Sequence, residues 1–167
     1  MRALPIPMPA FPDPFHPVVM LSIDVNILLY AYSVAAPEHD RALSFIITQS
    51  TNSGVALSEF VLAEFYLLLR NPAVLKKPLS AQHAVQVIQT YRQHPVWKTL
   101  GFPPTSREVH AELWQQAATP GIARRRIYDT RTALCLRAFG VTDFATANVR
   151  DFEGLGFKRV WNPLAPS

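Results

Sequence analysis

The stretch MLSIDVNILLYAYS, residues 20–33, changes its period part-way along. Its first part, closing on β-branched Ile23 and Asp24, is a short apolar run of the kind that forms a strand. From Val25 the apolar residues continue as a helix. Asp24 stands at the joint between the two, where a carboxylate is costly unless it has something to bind.

The same switch recurs along the chain. Residues 53–57, SGVAL, read as a second strand, after which Ser58 is suited to cap a helix running to Arg70. Asn71-Pro72 stops that helix. Glu38 to Ser50 is amphipathic, with Leu43, Ile46 and Ile47 at helical spacing. Ser80 opens a further helix that His94-Pro95 closes, and VWKTLGF, residues 96–102, is a candidate third strand. Thr105 and Glu108 have the spacing of a capping box ahead of a helix through Ala118, broken by Thr119-Pro120-Gly121. Tyr128 to Phe139 forms the next helix, with Gly140 as its left-handed stop. TDFATA (142–147) and FKRVW (157–161) supply two closing strands. Such alternation implies an α/β fold, a mostly parallel, twisted central sheet flanked by helices in three layers.

With 167 residues the chain is one domain by length, and large enough to bury a core. Apolar residues at 49% against 17% charged exclude wholesale disorder. No apolar run reaches the roughly 18–20 residues a membrane span needs, so no membrane partner is expected. Residues 1–19 hold six of the fifteen prolines and read as a flexible, surface-draped extension; residues 20–167 form the domain. They lack the basic start and long apolar stretch of a secretory signal. Cys135 is the only cysteine, which excludes an internal disulfide and a cysteine-based zinc site; Leu134 and Leu136 beside it suggest a core position, and a cytoplasmic location fits. A net charge of +4 makes attraction to phosphate plausible, and Arg124, Arg125 and Arg126 run together just before Asp129. Loops for nucleoside triphosphates or dinucleotides and the GxSxG elbow are all missing, and the histidines show no HExxH spacing.

In a parallel sheet, useful polar groups gather where strands end and helices begin. Asp24 ends the first strand, Glu64 lies two turns into the helix after the second, Asp129 opens the helix before TDFATA, and Asn148 follows that strand. Glu64 has Val61 and Leu68 at i−3 and i+4, which places it on or beside the buried stripe, with a salt bridge to Arg70 or a helix-side charge reaching solvent as the ordinary explanation. Carboxylates sharing a pocket repel, and one must take up a proton unless a cation lies between them. Hard oxygen donors favour Mg²⁺ or Mn²⁺, and phosphodiester hydrolysis is the chemistry such an ion supports.

LSIDVNILLYAY, VLAEFYLLLRNP, IYDTRTALCLRAFG and FATANVRDF, in this order, resemble the successive motifs of PIN-domain ribonucleases, with the closest likeness to VapC-type toxins of toxin–antitoxin pairs. The spacings of 40 residues from Asp24 to Glu64 and 65 from Glu64 to Asp129 make the ordered set specific. The resemblance implies that Asp24, Glu64 and Asp129 are catalytic and hold the metal, and that Asn26 and Thr146 orient ligands. The position two after Thr146, where the family carries a fourth acid, holds Asn148 in this chain. An amide there ligates weakly and adds no charge, so Asp151, three residues on, is the candidate substitute. Asp143 is set aside as a loop charge.

The expected activity is thus a Mg²⁺- or Mn²⁺-dependent ribonuclease acting on RNA. Arg124, Arg125, Arg126 and Arg131 are candidates for backbone contacts. The resemblance also implies an antitoxin partner and a homodimer, for which the apolar helix NILLYAY and the helix 80–94 are possible surfaces. Two competing readings use the same fold. One is a PIN module, catalytically weakened by Asn148, that binds RNA or a protein. The other is a nuclease directed at DNA.

Overall fold

β1 (Leu21–Ile23) occupies the centre of the sheet, and Asp24 follows its carboxyl end. The computed structural model describes residues 20–166; the proline-rich extension expected over 1–19 lies outside the described residues. α1 (Val25–Tyr32) and α2 (His39–Gln49) lead to β2 (Ala56–Ser58). α3 (Glu59–Leu69) and α4 (Ala81–Arg92) lead to β3 (Lys98–Leu100), and α5 (Ser106–Ala117) and α6 (Arg126–Ala138) to β4 (Asp143–Ala145). The short α7 (Val149–Phe152) precedes β5 (Arg159–Trp161).

β4 pairs with β1 and β5, β2 pairs with β3, and a bridge from Leu21 to Val55 joins the two sets, all in parallel. The strand order is therefore β3-β2-β1-β4-β5, the parallel sheet expected from the alternating elements. Side-chain alternation sorts the residues into two cores. Leu21, Ile23, Val55, Leu57 and Ala145 enter a core shared with α1, α2, α3 and α4. Phe144, with Met20, Leu100 and Val160 beside it, enters the opposite core with α6 and α7. Helices thus cover both faces, giving the three-layer α/β/α arrangement. A smaller cluster joins Phe60 of α3, Val109 and Leu113 of α5 and Leu134 and Cys135 of α6, so the thiol is a packed core group as expected.

Most helix boundaries follow from local chemistry. Ser58 accepts from the Phe60 amide and Ser80 from the His83 amide, as N-cap hydroxyls should. Gly140 takes φ +88°, the left-handed value that ends α6. Several expectations are corrected. Thr105 makes no side-chain cap bond, so the Thr105–Glu108 capping box does not form although the helix does. α6 begins at Arg126 rather than Tyr128, which brings part of the arginine run into its first turn. In α2 only Ala42 is buried; Leu43 and Ile47 face solvent, and Phe45 and Ile46 make the contact with the core. Asp143 is the half-buried first residue of β4 rather than a solvated loop charge. Among the described residues, no helix is long and apolar enough to cross a membrane.

Candidate active site

The end of β1 builds the site first. Asp24 is the N-cap of α1: its Oδ1 accepts from the Val25 amide at 2.8 Å, while its own amide continues the sheet ladder to the Ala145 carbonyl at 2.9 Å. Parallel pairing places the end of β4 alongside, and Thr146, fully buried, donates its hydroxyl to Asp24 Oδ2 at 2.6 Å. Asn26 donates to the same oxygen at 2.7 Å and to Thr146 Oγ1 at 3.1 Å, while its Oδ1 accepts from the Ala147 amide at 3.1 Å. The Asn148 amide in turn donates to Thr146 Oγ1 at 2.9 Å. Two residues 122 positions apart are thereby locked into one network.

A carboxylate offers about four lone-pair directions. Three protein donors take one on Oδ1 and two on Oδ2, leaving Oδ1 the oxygen with acceptor capacity to spare. Asp24 is 6% exposed, and burial pushes its carboxyl up to about 6; the bonds from Thr146 and Val25 pull the other way, and Glu64 and Asp129 add repulsion.

A cleft of about 220 Å³ opens in front of Asp24. Glu64, Asp129, Asn148 and Asp151 line it together with Asn26, and Leu29, Tyr30, Leu68 and Phe152 form its apolar wall. All the acids expected from distant parts of the chain therefore meet at one edge of the sheet. Asp129 is half-buried, and its carboxyl also rises to about 6, through desolvation, then Asp151, then Glu64, eased by Arg126. Glu64 lies beside the buried stripe and not on it. The buried stripe of α3 is Val61, Leu62, Phe65 and Leu69; Glu64 is exposed and reaches the cleft from the stripe's margin. Partial desolvation raises its carboxyl and Arg125 opposes this; the exposure makes that shift count for less than the one at Asp24. No bridge to Arg70 forms: that guanidinium donates to the Tyr66 hydroxyl at 2.7 Å.

Asn148 and Asp151 flank the mouth, both exposed, and the Asn148 side chain makes no cap bond to α7. Of the arginines, Arg125 and Arg126 act on the cleft acids, Arg124 is exposed, and Arg131 stacks on Phe60 and Tyr128 outside the cleft lining. The apolar wall carried no sequence signal, because Leu29, Tyr30 and Leu68 read as ordinary helix positions.

Among the described residues the one ion pair is Arg92–Glu59, and Glu59 is not among the residues lining the cleft, so none of the cleft acids has a paired cation. Nor do three acidic, histidine or cysteine side chains there already converge as a closed cage. Uncompensated hard oxygen donors in an open cleft suit a hydrated divalent ion, which keeps several waters and needs only one or two direct carboxylates.

No protein-family model matches the chain. Ribonuclease VapC24 of Mycobacterium tuberculosis is 49% identical over 145 residues, covering 87% of this chain and 97% of the relative. The chain belongs to the VapC ribonuclease family. Solved structures agree on the fold. VapC20 of M. tuberculosis, a sarcin-ricin loop cleaving toxin, superposes with a TM-score of 0.55 at 14% identity, over 74% of this chain and 86% of that one. FitAcB of Neisseria gonorrhoeae gives 0.60 at 20% identity, over 88% and 100%. DNA-bound VapBC of Salmonella typhimurium gives 0.56 at 15%, over 87% and 98%.

Proposed function

We propose that the chain is a metal-dependent endoribonuclease, the toxin of a toxin–antitoxin pair, working in the cytoplasm with Mg²⁺ or Mn²⁺ held by Asp24, Glu64 and Asp129. The observation that carries this reading is the cleft itself, which Asp24, Glu64, Asp129 and Asp151 line together and where, among the described residues, none of them is held in an ion pair. Asp24 contributes a carboxylate whose direction is fixed by Val25, Asn26 and Thr146, with Oδ1 free to accept further. Glu64 and Asp129 contribute charge from two helices and complete the donor set. A hard divalent ion bound there supplies a more acidic water and positive charge beside a phosphoryl oxygen. Asn26 and Thr146 orient Asp24, Asn148 and Asp151 line the mouth, and Arg124, Arg125 and Arg126 draw the RNA backbone towards the acids.

The partners this reading implies are an RNA substrate, an antitoxin protein that would cover the cleft, and a second copy of the chain. α1 has its apolar residues in the core, so it offers little to a dimer; α4, with Ala84 alone buried and Val85 exposed, is the better surface.

Asn148 favours a second reading, a PIN module with weak catalysis that binds RNA or protein, because no carboxylate stands at that exposed position of the mouth. Cleavage of a long structured RNA with Mg²⁺, Mn²⁺ or EDTA, beside the Asp24→Asn variant and a DNA of the same sequence, separates these. The nuclease reading expects metal-dependent loss of RNA that disappears in the variant. Binding without cleavage under every metal would leave the second reading standing, and equal cutting of DNA would move the substrate class.

A further inference from the structure

Next to the acid cleft, α3, α5 and α6 carry a row of rings and one cation that the cleft does not use. On α3, Phe60 stands one turn before Glu64, on the same side of the helix. On α6, Tyr128 directly precedes Asp129, and Arg131 follows one turn after Tyr128. The Arg131 guanidinium lies 4.3 Å from the centroid of the Phe60 ring and 5.7 Å from that of Tyr128. Phe60 meets Phe102 edge-on at 5.0 Å, and Phe102 meets the His110 ring at 5.7 Å. Phe60 is half-buried and forms the floor, but Tyr128 is 60% exposed and Phe102 61% exposed. Rings this open are not explained by packing.

Arg131 is equally unspent. Among the described residues it forms no ion pair, and its Nε is buried without a hydrogen-bond partner. A half-buried guanidinium with no anion beside it is unfavourable unless an anion arrives. Arg124 and Arg125 add two exposed cations just before the same helix.

We propose that Tyr128, Phe102 and Phe60, with Arg131 among them, form a stacking subsite for unpaired bases of single-stranded RNA next to the scissile phosphate. Single strands are held by aromatic faces that accept any base and by cations that follow the backbone, and a guanidinium plane serves both ends. The row starts about one helical turn, ~5.4 Å, from the acids on α3, so a strand with its phosphate in the cleft would place the neighbouring base over it. An apolar protein partner would not need the unpaired cation at the centre of the row, which is why RNA is the occupant we favour. The subsite rests on the nuclease reading and would select unpaired over duplex RNA.

The test measures binding of a short fluorescent single-stranded RNA to the Asp24→Asn chain, which prevents cleavage, and of a hairpin duplex beside it. Tyr128→Ala and Phe102→Ala, both at exposed rings, should each weaken single-strand binding roughly tenfold, with little change for the duplex. Tyr128→Phe should restore affinity, and Tyr128→Trp should show emission quenched on RNA addition. Unchanged single-strand affinity in both alanine variants, while the parent chain still cleaves RNA, would overturn the subsite and leave the nuclease intact. A parent that neither binds nor cleaves RNA would remove both. An altered oligomeric state or lost capture of a partner protein in the alanine variants, with RNA affinity intact, would identify the row as a protein interface and overturn the subsite.

Discussion

The two walls of the cleft are built on opposite plans. On the strand wall, Asp24 is buried and holds three donors, and Thr146 and Asn26 are bonded to each other and to neighbouring amides. On the helix wall, Glu64, Asp129 and Asp151 line the cleft and make no side-chain hydrogen bond among the described residues, and the Asp129 carboxyl is raised by desolvation first and by Asp151 and Glu64 after it. One wall fixes direction and the other accumulates potential. A site that needs a cation can thus keep one carboxylate preorganised while the others stay free to close around what arrives.

The sharpest way to break this comparison is at Asp24. Asp24→Asn keeps the volume and removes the charge, and cleavage should fall by well over about a hundredfold, since loss of mere outer partners around a metal already costs roughly 10–100-fold. If a helix-wall variant such as Glu64→Gln lost more activity than Asp24→Asn, the strand wall would not be the anchor. Thr146→Val probes the support and not the acid itself. It removes the 2.6 Å bond to Oδ2 and should lower activity by roughly 10–100-fold, with a stability cost of about 1–3 kcal/mol seen in denaturant unfolding.

Desolvation and repulsion among the acids of both walls predict how stability depends on pH. Asp24 and Asp129 rise from 3.8 to about 6, so between those values the folded chain holds protons that the unfolded chain has released. Stability without metal should therefore be greatest at low pH, fall as pH rises through that window, and stay lower above it. Magnesium should oppose that loss above about pH 6, where the acids are charged. Asp129→Asn removes part of the repulsion and should leave the metal-free Tm unchanged or raise it by roughly 2–4 °C, while shrinking the gain from magnesium. A large fall in Tm without metal would show Asp129 to be a structural residue. The smallest effect is expected at the mouth: Asn148→Asp adds one charge to an exposed, unbonded position and should strengthen magnesium stabilisation severalfold at most.

How far the chain could be read from its residues follows the same division. Strands and helices were legible where period and cap agree, as at Asp24 and Ser58. Parallel topology followed from alternation, and Asp24, Glu64 and Asp129 were singled out by their places near strand ends and helix starts and by an order and spacing that resemble a known family. What was not legible depended on three-dimensional neighbours. The exposure of Glu64 could not be read from Val61 and Leu68 alone, since the buried stripe of α3 passes from Val61 through Leu62, Phe65 and Leu69 and leaves Leu68 and Glu64 at its margin. The failed box at Thr105 is a matter of backbone angle, φ −86° and ψ 30°, that spacing does not encode. The row from Tyr128 to Phe102 joins residues of three separate segments, so no window of sequence contains it.

The bond between Thr146 and Asp24 also orders events in time. Asp24 precedes Thr146 by 122 residues, and β4, which ends one residue before Thr146, must dock between β1 and β5 before the clamp closes. Until β4 and β5 are in place, Asp24 keeps its bonds from Val25 and Asn26 but lacks the hydroxyl clamp, so the direction of the buried acid is set by assembly of the sheet and not by its own segment alone.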